Sequence, residues 1–135
     1  MRVVPDTNVL VSAIVFGGPP GRLVELAGEG HLQLILSPPL IAELREVLRR
    51  KFGFSDAAAY QAEALLRRIS IVVEPQQEVA IISEDPEDNR VLEAARAGDA
   101  DVIVSGDRHL LSLERFGTTA IMNPRDLLNS IEPRR

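Results

Sequence analysis

A three-layer α/β/α domain, with helices on both faces of a central parallel sheet of about five strands and a helical arm at one side, is what this sequence predicts. Three observations point there. Several short β-rich runs are near-continuously apolar instead of alternating, as in strands covered on both faces. Longer segments of helical period separate those runs, and strand–helix alternation implies parallel pairing through crossovers. Small polar residues followed by Pro or Asp mark the starts of several of the helices.

In chain order, the first strand is Arg2–Pro5 and runs straight into Asp6, with a helix over Thr7–Val15 and a second over residues 20–28 after the turn Gly17-Gly18-Pro19-Pro20-Gly21. A strand at 34–36 is followed by helices at 38–51 and Asp56–Arg68, opened by Ser37-Pro38 and Ser55-Asp56. These two helices lie between consecutive strands and so form the arm. The second of them, from Ala57-Ala58-Ala59-Tyr60 to Leu65-Leu66, has an apolar surface broad enough either to close its own core or to meet a partner. A strand over residues 70–73 leads through Asp85-Pro86 to a helix over 86–97. Then come a strand at Val102–Val104, a helix over 108–113, a strand at 120–122 and a helix over 125–131, with a frayed tail.

At 135 residues and 45% hydrophobic composition, the chain is expected to be one domain, 1–135, with a core large enough to need no staples. The absence of cysteine excludes disulfides, thiolate nucleophiles and cysteine-ligated zinc or iron–sulfur sites. Its apolar runs are shorter than a membrane span and no secretory leader opens the chain, so a cytoplasmic protein with no membrane partner is expected. Net charge is −5, which argues against a surface attractive to nucleic acid everywhere; acids grouped around a cation would be neutralised locally. Of the fifteen basic residues only Lys51 is a lysine, leaving arginine, the better partner for phosphate forks. Aromatic residues are too scarce for a base-stacking platform.

Four acids recur at strand ends and helix starts. Asp6 and Asp107 each follow a strand and precede a helix; taken singly each reads as an N-cap, and taken together they sit where open α/β sheets place their sites. On the helix opened by Pro38, Leu40, Ile41, Leu44, Val47 and Leu48 form the apolar stripe. At about 100° per residue, Glu43 falls roughly 100° from its middle and Glu46 about 160° away, so Glu43 can look toward the sheet end and Glu46 is a solvated acid. On the helix opened by Pro86, Asp88 lies only about 15° from the centre of the stripe of Val91, Leu92 and Ala95. An acid so placed is costly unless satisfied, by a capping-box pairing with Asp85 or by a cation. If the first and fourth strands are neighbours, Asp6 and Asp107 face each other and Glu43 and Asp88 close a ring.

Thr7, Asn8, Ser12 and Ser105 are candidates to orient those ligands or a water, and each also reads as a cap or turn residue. Arg45, Arg49 and Arg50 group on one helix, as a solvated face or as a contact to an RNA backbone or an acidic partner. His31 reads as a loop histidine and His109 as a helix-surface one. The glycine–proline turn lacks the Gly-Lys-Ser/Thr ending of a phosphate loop.

The order of Val-Val-Pro-Asp-Thr-Asn-Val-Leu-Val-Ser-Ala, Gly-Gly-Pro-Pro, Ser-Pro-Pro-Leu-Ile-Ala-Glu-Leu, Asp-Pro-Glu-Asp-Asn, Val-Ser-Gly-Asp-Arg-His-Leu-Leu and Ile-Met-Asn-Pro resembles the PIN-domain family, in its bacterial and archaeal toxin branch, over essentially the whole chain. The resemblance implies a PIN-type sandwich and a magnesium- or manganese-dependent endoribonuclease whose acidic positions are matched by Asp6, Glu43, Asp88 and Asp107. It further implies RNA as substrate, a small antitoxin protein as inhibitor and a homodimer. One or two such ions could polarise a phosphoryl oxygen and lower the pKa of a water without any side-chain nucleophile. Pro5 departs from the family, which usually has an aliphatic residue there; it removes a strand donor beside Asp6 and is expected to tilt that ligand. Two other readings stand beside this one. A catalytically weak or inactive binding module would keep the acids without turnover, and a phosphorelay receiver would need a lysine after the last strand, where none is found.

Overall fold

The computed structural model of the protein describes residues 1–80 and 88–132. Its centre is β1 (Arg2–Pro5), flanked by β2 (Gln33–Leu36) and β4 (Val102–Val104); β3 (Ser70–Val72) lies outside β2, and β6 (Thr119–Met122) then β5 (Arg115–Phe116) lie outside β4. Five strands pair in parallel and β5 pairs antiparallel to β6. This sixth strand adds an antiparallel edge to the expected five. It forms because Phe116↔Thr119 closes a two-residue turn whose first residue, Gly117, adopts φ 62°, a region glycine enters without a Cβ clash.

Alternation along each strand divides the core into two layers. Val3, Leu34, Val102 and Val104 pack on one side with Val9 of α1 (Thr7–Val15), Leu23 and Leu26 of α2 (Gly18–Gly28) and Leu127 of α7 (Pro124–Ile131). Val4, Ile35, Ile103 and Ile121 pack on the other with Val91, Leu92, Ala94 and Ala95 of α5 (Asp88–Gly98) and Leu110 of α6 (Arg108–Leu111). Both faces of the sheet are thus covered, which is why its strands read as continuous apolar runs. Gly98 is required by this packing: a Cβ there would lie 2.6 Å from Ile35 Cγ2.

The arm consists of α3 (Pro38–Phe52) and α4 (Asp56–Arg68). The apolar stripe of α3 packs as its period predicts: Ile41, Leu44 and Leu48 meet Leu66 of α4, Leu10 and Val11 of α1 and Leu36 of β2. One side of α4 therefore closes a core within the chain, while Tyr60 and Leu65 remain exposed. Gly53, at φ 67°, terminates α3 and its N–H returns to Leu48 O. The helix expected from residue 20 begins at Gly18, with its prolines in the first turn where a missing N–H costs nothing. Ser55 caps α4 by accepting the Ala58 N–H at 3.1 Å. Ser37, by contrast, occupies the cap position of α3 without a side-chain cap bond. The Asp85-Pro86 helix start lies outside the described residues. Among the described residues no single helix is long and apolar enough to cross a membrane.

Pairing around β1 is asymmetric near its end. Toward β4 the register runs from Val3↔Val102 to Pro5↔Val104 and continues as Asp6 N–H to Val104 O at 2.9 Å. Toward β2 it stops at Val3↔Leu34. Successive strand amides point to opposite sides, so with Asp6 facing β4 it is the nitrogen of Pro5 that faces β2, and it carries no proton.

Candidate active site

The order in which strands are added to the sheet reverses between β1 and β4, since β2 and β3 extend one way from β1 and β6 extends the other way from β4. The crevice outside the carboxyl ends of such strands is where open α/β sheets bind ligands. There, Asp6, Thr7, Asn8, Glu43, Asp88, Val91 and Asp107 line a cleft of about 40 Å³. That is space for an ion with a few waters. All four acids singled out by the sequence reach this cleft, and so do Thr7 and Asn8.

Asp6 and Asp107 are caps as well as cleft residues. Asp6 Oδ1 accepts the Val9 N–H at 2.8 Å, and Asp107 Oδ1 accepts from His109 N–H at 2.8 Å and Leu110 N–H at 3.3 Å. One carboxylate oxygen of each is spent on its helix, which fixes the direction in which the other points. Ser105, fully buried, ties the two together: its hydroxyl donates to Asp6 Oδ2 and accepts the Asp107 N–H at 2.9 Å. Ser12 lies on α1 one turn after Asn8, half-buried, and is not part of the cleft lining.

Electrostatically the cleft is acidic. Burial pushes the Asp6 carboxyl above its ordinary range; the Ser105 hydroxyl and the Val9 amide pull it back, and the neighbouring charge of Asp107 raises it again. Among the described residues that line the cleft, none is basic. Its donor set is all oxygen: four carboxylates, the Asn8 amide and the Thr7 hydroxyl, whose Oγ1 is buried with no hydrogen-bond partner among the described residues. Such a set suits a hard divalent cation such as Mg²⁺ or Mn²⁺. The acids are not drawn into a closed cage, however: among the described residues no three acid or imidazole groups converge at metal-holding distance.

Arg45, Arg49 and Arg50 stand on the outer face of α3, each in an ion pair. Arg45 meets Glu63 at 3.1 Å and Arg49 meets Asp56 at 2.8 Å, both on α4, and Arg50 meets Glu46 within α3. The arginines that looked like a basic patch in the sequence thus also fasten the arm. Glu63, buried and shared between Arg45 and Arg67, and Glu93, buried on α5, have structural partners that sequence patterning did not reveal.

A sequence model of the PIN domain matches residues 2–109, a span that includes all four acids. No curated protein sequence matches the chain. Among solved structures, the fold is similar to that in VapBC2 from Rickettsia felis bound to a DNA fragment from their promoter, with a TM-score of 0.63 at 16% identity over 91% of this chain and 98% of that one. It is also similar to Mycobacterium tuberculosis VapC20, a Sarcin-Ricin loop cleaving toxin, with a TM-score of 0.58 at 16% identity over 87% of this chain and 98% of that one. At that identity the two structures speak to fold, and the fold agrees with the sequence match: this chain belongs to the PIN-domain family.

Proposed function

We propose that this chain is an endoribonuclease dependent on Mg²⁺ or Mn²⁺ and that it is the toxin of a toxin–antitoxin pair. The observation that carries the reading is the meeting of Asp6, Glu43, Asp88 and Asp107, from four separate stretches of sequence, in one ion-sized cleft at the β1/β4 crevice. Family membership and the likeness to a toxin that cleaves the Sarcin-Ricin loop support RNA as the substrate. Likeness to VapBC2 supports a small antitoxin as the partner.

Bound divalent ions would supply a polarised phosphoryl oxygen and a water of lowered pKa. The four carboxylates are the residues that would hold them, and one carboxylate would also take up the proton of a water activated there. Ser105 keeps Asp6 and Asp107 in mutual register; the cap bonds of Asp107 fall on Oδ1 alone, while Asp6 Oδ2, which accepts the Ser105 hydroxyl, would have to offer its second lone pair to a cation. Arg45, Arg49 and Arg50 are exposed; the pairs of Arg49 with Asp56 and of Arg50 with Glu46 are exposed and contribute only about 0–1 kcal/mol, whereas Arg45 pairs with the buried Glu63. Exchange of Asp56 and Glu46 for RNA phosphates or an acidic partner segment at Arg49 and Arg50 is therefore inexpensive. The exposed Tyr60 and Leu65 suit a homodimer, which a mass measurement at micromolar concentration tests.

Purified protein is expected to cut single-stranded RNA with Mg²⁺ or Mn²⁺ and to lose cutting in EDTA. Asp6→Asn is expected to abolish it, and equal cutting by that variant would overturn the assignment. A second reading, a binding module without turnover, is favoured by the early end of β1–β2 pairing at Val3↔Leu34, short of Pro5. Tight Mn²⁺ binding without RNA cleavage would select it.

A further inference from the structure

Glu93 is a buried carboxylate that the cleft does not use. It is 6% exposed, on α5, and it is satisfied by groups from two places. Its Oε2 accepts the backbone N–H of Val79 at 2.7 Å, fourteen residues earlier in the chain, and pairs with the Arg90 guanidinium at 2.8 Å. Arg90 also reaches the Val79 carbonyl at 3.5 Å. Both backbone polar groups of one residue are thus gripped by two side chains of α5, less than two turns beyond Asp88. Val79 itself is buried among Val91, Leu92, Val4 and Ile103.

We propose that Glu93 is a positioning residue for Asp88, setting its approach to the cleft by clasping Val79 to α5; the inference rests on the cation-binding reading of that cleft. A buried carboxylate is expensive without partners, so the position is unlike an ordinary surface acid that tolerates any neighbour. Val79 is packed with Val91 and Leu92 of α5 and with Val4 of β1 and Ile103 of β4, so the clasp fixes where the first turns of α5, and Asp88 with them, sit against those strands. α5 meanwhile lies across β1, β2 and β4, so the clasp refers Asp88 to the same strands that carry Asp6 and lead to Asp107.

Mn²⁺ titration calorimetry on the full chain separates this role from plain stabilisation. Glu93→Gln keeps an acceptor for the Val79 N–H and is expected to bind Mn²⁺ within about threefold of the unsubstituted protein. Glu93→Ala removes the acceptor and Glu93→Asp withdraws it by one methylene; both are expected to bind about tenfold or more weakly, the range for groups that orient a ligand. Glu63→Ala, which breaks the buried acid of the arm, is the control and is expected to lower the melting temperature without changing Mn²⁺ affinity. A folded Glu93→Asp that binds Mn²⁺ as the parent does overturns the proposal, and so does an equal loss of affinity in Glu63→Ala. Amide exchange supplies a readout that needs no metal. The Leu92 N–H, whose helical acceptor is the Asp88 carbonyl, is expected to exchange about tenfold faster in Glu93→Asp while the Ile103 amide of β4 is unchanged. If the parent protein binds no Mn²⁺, the cation reading of the cleft fails, and the Leu92 exchange alone decides the clasp: acceleration sustains it and unchanged exchange ends it.

Discussion

Replacing Asp6 by Asn is expected to abolish function and strengthen the fold. The carboxyl is 4% exposed, beside Asp107, and burial holds it above its ordinary range. Two charge-assisted bonds, from Ser105 and Val9, return about 1.5–3 kcal/mol each, and an Asn keeps the Val9 bond at about 1 kcal/mol. The raised carboxyl shows that desolvation and repulsion, several kcal/mol for a buried ion, outweigh those bonds. The surplus relieved in Asn is on the order of 1–2 kcal/mol at pH 7, as at other sites where function is held against stability. That corresponds to a melting temperature higher by roughly 4–7 °C for a chain of this length. The sign with pH follows from proton counting. Below the unfolded value of 3.8 both states keep the proton and the favourable contribution of neutral Asp6 is fully present; it is lost as pH rises through the higher folded value, because the unfolded chain ionises first. Melts of both proteins in EDTA across about pH 4–8 should therefore diverge upward in pH. Adding Mn²⁺ at about 100 times its dissociation constant should return about 2.7 kcal/mol to the parent and little to Asp6→Asn. An Asn variant no more stable at neutral pH, or a gap that does not change with pH, would refute the reasoning.

Ser105→Ala leaves the Asp107 N–H and an Asp6 oxygen without their shared hydroxyl, and urea unfolding is expected to show a loss of about 1–3 kcal/mol, with weaker Mn²⁺ binding by calorimetry. Gly98→Ala drives a methyl against Ile35 Cγ2 and is expected to cost about 1–3 kcal/mol in the same assay; a neutral result would mean α5 can lift from β2 freely. Arg49→Ala breaks an exposed pair with Asp56 and should change stability by less than about 1 kcal/mol. Any larger fall in RNA affinity, measured by filter binding, then belongs to contact with the RNA, and unchanged affinity removes Arg49 from that role.

Much of the architecture could be read from residue order because each local signal had a single physical meaning. The runs Arg2–Pro5 and Val102–Val104 were apolar at nearly every step, and both faces of those strands proved to be covered. The stripe of α3 placed Glu43 at its boundary, and Glu43 lines the cleft. β5 was illegible by the same logic: Arg115-Phe116 has no apolar run, and its cue was only Gly117 before Thr118 in a two-residue turn. Ser37 looked like a cap by residue type, yet its buried hydroxyl makes no cap bond. The ion pairs of Arg45 and Arg49 with α4 depend on how two helices are set side by side, which a period along one helix does not specify. Ser105 was visible as a candidate, but its double role required knowing that residues 99 positions apart would meet.

That separation bears on how the protein is made. Asp6 is synthesised 99 residues before its hydroxyl partner Ser105 and almost as long before its strand partner Val104. At roughly 5–20 residues per second the first acid waits seconds for the second. β1 can pair with β2 early, but only through Val3↔Leu34, short of the acid. A nascent chain that has not yet reached β4 therefore carries an arm and no assembled cleft, and the acids come together only when β4 closes on β1.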